Sequence, residues 1–117
     1  LVAEAGLKAL QQAIHLVKME KPHVEVELEA DRLEQVADFL KLDGVDYILL
    51  DNMSLDELRE AVEMRGETHR VRLEASGGVN LETVAAIAET GVDFISVGAL
   101  THSAPALDIG LDFVPEE

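Results

Sequence analysis

Cysteine is missing from all 117 residues, and basic residues are few: nine Lys and Arg stand against 24 Asp and Glu, a formal net charge of -15. Without cysteine there is no disulfide and no thiolate metal site, and a cytoplasmic protein is the expectation. A surface this acidic repels phosphate backbones and anionic lipid, so nucleic acid and membranes are not expected partners. No run of about twenty apolar residues crosses a bilayer, and no charged-then-apolar signal is present. What remains is a chain almost half apolar (48%), rich enough to bury a core and sized for one domain. It opens on Leu1 inside a pattern that is already helical, "LVAEAGLKALQQAI", so a piece of something longer is expected.

Helical and strand periods alternate along it. Leu7, Leu10, Ile14 and Val17 recur at helical spacing until Pro22, after which "HVEVELE" alternates with a period of two. Asp31 to Glu34 has capping-box spacing ahead of Leu33, Val36, Ala37 and Leu40, and Gly44 closes that helix before the apolar run Tyr47 to Leu50. Ser54 to Glu57 repeats the start signal ahead of Leu55, Leu58 and Val62. "VRLEA", a Ser-Gly-Gly turn, a helix over Leu81 to Glu89, Gly91 and a strand "DFISVGA" follow. Four helix–strand pairs with short connections predict parallel strands in the order 1-2-3-4.

An internal echo accompanies this order. "GVDYI" at Gly44 returns as "GVDFI" at Gly91, 47 residues on, "LEA" at Leu28 returns at Leu73, and "LEQVA" at Leu33 returns as "LETVA" at Leu81. Either Gly-Val-Asp is a common helix-to-strand turn, or two βα units form one repeat of a barrel built from duplicated quarters. A barrel needs about eight strands, so four make half of one.

Ligands of parallel α/β folds collect at the carboxyl ends of the strands. Strand one sets Glu25, Glu27 and Glu29 on one face and Val24, Val26 and Leu28 on the other, which is either an inward acidic face or a wet edge. Strand two ends at Asp51. A carboxylate there beside an inward glutamate outlines a magnesium site, although Asp51 also suits a turn or cap. Strand three ends in Ser76-Gly77-Gly78 and strand four in Gly98-Ala99, followed by "LTHS". Glycine admits backbone N–H groups close to a phosphate and Ser76 offers a hydroxyl, but Gly-Gly also merely bends chains. His15, His23 and His69 have no second ligand at metal spacing and read as surface residues. Arg70 and Arg72 share a strand with Glu74, where pairing with strand carboxylates is expected.

The segments "VDYILLDNMS", "LEASGGVNLETV" and "AETGVDFISVGALTHSAPALDIGLDF" resemble the C-terminal part of the quinolinate phosphoribosyltransferases, the nicotinate-nucleotide pyrophosphorylases, across essentially all of residues 1–117. The resemblance implies the C-terminal half of a (β/α) barrel. It also implies an enzyme that makes nicotinate mononucleotide from quinolinate and phosphoribosyl pyrophosphate with Mg2+, for NAD biosynthesis. By the same resemblance, Glu27 and Asp51 match the family's metal- and ribose-binding acids, while Ser76, Gly77, Gly78, Gly98 and Ala99 match its phosphate loops, with His102 nearby. The family's Lys-Asp-Asn-His stretch and the basic residues that hold the quinolinate carboxylates fall before Leu1. The chain alone is therefore expected to be inactive: either it is part of a phosphoribosyltransferase or it is a non-catalytic half-barrel scaffold. A homo-oligomer is expected because a half-barrel leaves strand edges open.

Overall fold

A computed structural model describes residues 4–67 and 70–96. Eight elements alternate: α1 (Glu4–Glu20), β1 (Glu27–Ala30), α2 (Leu33–Leu40), β2 (Tyr47–Asp51), α3 (Leu55–Arg65), β3 (Arg72–Ser76), α4 (Val84–Ala88) and β4 (Phe94–Ile95). The strands form one sheet in the order β1-β2-β3-β4, every neighbouring pair parallel, as the alternation predicted. Among the described residues no helix is long and apolar enough to cross a membrane.

Period-two alternation decides which face of the sheet is covered. Val26, Leu28, Ala30, Ile48, Leu50, Val71, Leu73 and Ala75 are buried beneath the helices, which contribute Ile14, Val36, Phe39, Leu58, Ala61 and Ile87. Side chains such as Leu28, Ile48, Leu50 and Leu73, with no exposed surface, stabilise this layer by roughly 1.5–3 kcal/mol each. The alternate residues Glu27, Glu29, Tyr47, Leu49, Asp51, Glu74 and Ser76 take the other face and are exposed or half-buried. The wet carboxylate face of strand one is thus the face turned away from the helices.

Three boundaries differ from expectation. The sequence pattern sets the α2 cap at Asp31 and Glu34, yet it is Gln35 whose Oε1 accepts from the N–H groups of Asp31 (2.8 Å) and Arg32 (3.2 Å). A neutral amide one residue later does the work expected of Glu34. β1 starts at Glu27 rather than His23, although the Val26 carbonyl already accepts from Asp46 and Tyr47. α4 covers only Val84–Ala88, because Asn80 organises the turn before it. Its Oδ1 accepts from Glu82 and Thr83 N–H, its own N–H donates to Thr83 Oγ1, and Leu81 is left 86% exposed. Ser54 and Glu57 form the reciprocal cap of α3 as predicted.

The 47-residue echo is a repeat in space. Asp46 Oδ2 accepts from Lys18 Nζ (2.6 Å) and from Val26 N–H (2.8 Å), while the Asp46 N–H donates to the Val26 carbonyl (2.9 Å). Moved along by 47 residues, the same bonds recur: Asp93 Oδ2 accepts from Arg65 and from Leu73 N–H (2.9 Å), and the Asp93 N–H donates to the Leu73 carbonyl (2.9 Å). Register follows suit, Glu27 opposite Tyr47 and Glu74 opposite Phe94. Each "GVD" is a clamp joining a helix C-terminus, the start of one strand and the start of the next. Gly44 is needed for close approach as well as for its φ of +92°, since a Cβ there would stand 2.8 Å from Ile14 Cγ2.

Candidate functional site

The carboxyl ends of β1, β2 and β3 bring together Asp31, Asp51-Asn52 and Ser76-Gly77-Gly78. Asp51 lies directly opposite Ser76, and the Asn52 N–H donates to the Ser76 carbonyl (2.8 Å), so the pairing continues one residue past β2. To turn away there Asn52 adopts φ +59°, a left-handed conformation that asparagine tolerates better than most residues.

The two glycines separate into different roles. Gly77 has φ +85°, and a Cβ on it would stand 3.0 Å from Asn52 N and 3.1 Å from Asp51 Oδ1. It is glycine because the end of β2 packs against it. Gly78 has φ +68°, and the nearest atom to a Cβ there is Asn52 Oδ1 at 3.7 Å, an ordinary contact. Space for a ligand is therefore available at Gly78, while Gly77 holds the loop against Asp51.

A small pocket of about 110 Å³ at this edge is lined by Glu29, Ala30, Asp31, Gln35 and Asp51. It corrects the expected position of Glu27. Glu27 and Asp51 were expected at one edge, but Glu27 is the first residue of β1 and pairs with Tyr47, the first residue of β2. That is four residues from Asp51, roughly 13 Å along the strand. Glu29, opposite Leu49, is the β1 carboxylate nearest Asp51. The register between neighbouring strands sets this difference, and β1 alone does not encode it. Glu74 also pairs with Leu49, so Glu29 and Glu74 flank Leu49, and the Ser96 hydroxyl donates to the Glu74 carboxylate. Among the described residues no three Asp, Glu or His side chains converge on a metal position. Glu29, Asp31 and Asp51 all line the pocket, and Mg2+ needs only one or two such carboxylates, completing its shell with water and substrate oxygens. Gly98, Ala99, His102 and His69 lie outside the described residues. His15 is exposed and hydrogen-bonded to Gln11, and His23 is exposed, as surface residues should be.

The amino ends of the strands look different. There a broader basin of about 570 Å³ is lined by Glu25, Asp46, Tyr47, Arg65, Glu67, Arg70, Val71, Arg72 and Asp93. Arg65 pairs with Asp93, but among the described residues neither Arg70 nor Arg72 forms an ion pair, contrary to the pairing expected for them. The distance is again a matter of register, because Arg72 faces Tyr47 rather than a carboxylate across the strand. Tyr47 feels the surroundings. Burial pushes its phenol pKa up, and the Glu25 carboxylate pushes it further by charge and hydrogen bond, against the lowering influence of Arg72.

Comparison with known proteins agrees with the fold. Residues 3–112 match the family described as quinolinate phosphoribosyl transferase, C-terminal domain. A nicotinate-nucleotide pyrophosphorylase (carboxylating) of Mycobacterium leprae is 42% identical over 109 residues, covering 92% of the chain and 38% of that relative. A probable nicotinate-nucleotide pyrophosphorylase of Bacillus subtilis is 40% identical over 111 residues, covering 95% and 35%. The solved nicotinate-nucleotide pyrophosphorylase of Francisella tularensis superposes with a TM-score of 0.67 at 33% identity, covering 92% of the chain and 38% of that structure. The chain thus spans well under half the length of the relatives it matches.

Proposed function

We propose, since the chain belongs to the quinolinate phosphoribosyl transferase C-terminal domain family, that it supplies the phosphate-binding and acidic side of a phosphoribosyltransferase site. The complete enzyme would transfer the phosphoribosyl group of phosphoribosyl pyrophosphate to quinolinate, releasing pyrophosphate and carbon dioxide and leaving nicotinate mononucleotide for NAD biosynthesis. The observation that carries this reading is the juxtaposition of Asp51 with Ser76-Gly77-Gly78 at the carboxyl edge of a parallel sheet, where such folds take their ligands. In it the 5′-phosphate sits on the backbone of Ser76 to Gly78, and Gly98, Ala99 and His102 are the family's matching positions on the next loop. Asp51 accepts the ribose hydroxyls, and Glu29, the β1 carboxylate nearest that edge, takes the place that the resemblance gave to Glu27. Mg2+ held by these acids would neutralise the pyrophosphate charge.

Quinolinate, by contrast, is a dicarboxylate, and the exposed sheet face offers it Glu27, Glu29, Asp51 and Glu74, with Arg72 the one cation on the described strands, at their amino end. Like charges at such distances oppose binding. The cationic half of the site has to come from another polypeptide segment, and the isolated chain should be inactive. That charge distribution also favours a second reading, a non-catalytic half-barrel scaffold. The cysteine-free composition supports a cytoplasmic location, although relatives in plants carry mitochondrial and chloroplastic names. Self-association is supported by β1 and β4, each of which has a sheet neighbour on one side only among the described residues.

The test is complementation. The chain mixed with the remaining N-terminal segment of the Mycobacterium leprae relative should form nicotinate mononucleotide from quinolinate, phosphoribosyl pyrophosphate and Mg2+. Asp51→Asn should lower that activity at least about a hundredfold. A folded mixture without activity, or an Asp51→Asn variant as active as its parent, would favour the scaffold.

A further inference from the structure

We infer that Asn52 is a positioning residue, whose left-handed backbone holds the Ser76-Gly77-Gly78 loop at a fixed place beside the Asp51 carboxylate, so that a phosphate on the loop and Mg2+ at Asp51 bind as one unit. This rests on the phosphoribosyltransferase reading and adds to it the residue that couples its two halves. β2 and β3 pair in parallel as far as Asp51 opposite Ser76, and the Asn52 N–H makes one bond more, to the Ser76 carbonyl (2.8 Å). An extended residue there would carry β2 on alongside the loop. Asn52 instead has φ +59°, and the chain leaves the sheet for Ser54, the cap of α3. Among the described residues it is the only one other than glycine with a positive φ, a conformation that costs most side chains free energy and that asparagine adopts more readily.

That turn brings Asn52 against each residue of the loop. The Ser76 carbonyl and the Gly77 N–H share one planar trans peptide, so a carbonyl held by Asn52 aims the Gly77 N–H away from β2. Among the described residues neither that N–H nor the N–H of Gly78 has an acceptor; in the proposed function they meet the phosphate. Gly77 packs on the Asp51-Asn52 peptide itself, since a Cβ on it would stand 3.0 Å from Asn52 N, 3.2 Å from Asn52 Cα and 3.1 Å from Asp51 Oδ1. Gly78 lies beside the Asn52 side chain, whose Oδ1 would be 3.7 Å from a Cβ there. The side chain is exposed and makes no hydrogen bond among the described residues. The backbone conformation therefore positions the loop, and the amide group is dispensable.

If Asn52 only turned the chain into α3, its substitution would alter stability and leave ligand binding by the folded chain unchanged. Two variants separate the readings. Asn52→Gly discards the amide and keeps the left-handed turn, whereas Asn52→Val places a β-branched side chain where φ is positive. Calorimetry of the 117-residue chain uses inorganic phosphate to probe the loop, and ribose 5-phosphate with and without Mg2+ to probe the coupling. The parent should bind ribose 5-phosphate more tightly when Mg2+ is present. Asn52→Gly should keep both the phosphate affinity and the Mg2+ effect within about twofold of the parent. Asn52→Val should bind inorganic phosphate about tenfold more weakly and lose the Mg2+ effect, which a change in stability alone would not touch. Urea unfolding checks that each variant is folded; should Asn52→Val unfold, Asn52→Ala strains the same φ less and should weaken phosphate binding about threefold. A Val or Ala variant as tight and as Mg2+-dependent as the parent would overturn the inference. So would an Asn52→Gly variant as impaired as Asn52→Val, or a parent whose ribose 5-phosphate affinity ignores Mg2+. A parent that binds no ribose 5-phosphate at all overturns the phosphate-loop reading, and this inference with it, before any variant is compared.

Discussion

The two ends of the same four strands are built from different chemistry. At the amino ends, Asp46 and Asp93 each bind a helix-terminal cation and a strand N–H, so the acids are matched by donors. At the carboxyl ends, Asp51 stands beside Ser76 and two left-handed glycines, and among the described residues it has no ion pair. The same residue type forms a structural clamp at one edge and, in the reading proposed above, meets a ligand at the other. In parallel barrels the amino face is where conserved features serve stability and the carboxyl face is where chemistry happens; the proposed function makes the same division between the two edges of this four-stranded sheet.

Substitutions can break the comparison from either side. The largest expected loss of stability follows Asp93→Ala, which leaves Arg65, its side chain 14% exposed, and the Leu73 N–H without their acceptor. About 3 kcal/mol should vanish in urea unfolding, while ligand binding by the native fraction persists. Asp46→Ala should cost about 2 kcal/mol in the same measurement, less because Lys18 is 27% exposed and its ammonium can regain water. If the second quarter proved less sensitive than the first, the equivalence of the clamps would fail.

Next comes Gly77→Ala, which combines φ +85° with a Cβ 3.0 Å from the Asn52 backbone nitrogen. A loss of about 1–2 kcal/mol is expected, together with weaker phosphate binding because the Asp51-Asn52 edge must shift. Asp51→Asn should change stability by less than about 0.5 kcal/mol but abolish any Mg2+ dependence of ligand binding measured by calorimetry. Those two results together would place function and stability on opposite edges.

The smallest effect concerns Tyr47, the sole tyrosine, whose ionisation is readable in the ultraviolet without interference from a second phenol. Its pKa is raised by burial and by Glu25. The associated stability is complete below the unfolded value of about 10 and is lost as pH climbs through the folded one. Glu25→Gln should bring the phenol titration back toward its ordinary range; an unchanged curve would remove Glu25 from the basin.

Much of this was legible in the sequence because local chemistry encoded it. Ser54 and Glu57 are three residues apart and cap α3 wherever that helix goes, and the alternation in Val26, Leu28 and Ala30 against Glu27 and Glu29 follows from the strand period alone. The height of Glu27 was not legible, since it depends on where β2 docks. Asn52 and Asn80 were missed because their roles need a neighbouring strand or a turn whose shape the residue types do not announce, whereas Glu29 was already on the acidic face of strand one and only its height was open. The clamp partners of Asp46 lie 20 and 28 residues away, too far for any local rule. The 47-residue echo was the available signal: it marked both aspartates, and the bonds they share explain why that tripeptide recurs.

Backbone amide NMR of the chain titrated with ribose 5-phosphate and Mg2+ tests the division of the two edges most directly. The account predicts shifts at Ser76, Gly77, Gly78 and Asp51, with Asp46, Leu73 and Asp93 unmoved. Shifts gathered instead around Arg65, Arg70 and Arg72, in the basin at the amino ends of the strands, would contradict it.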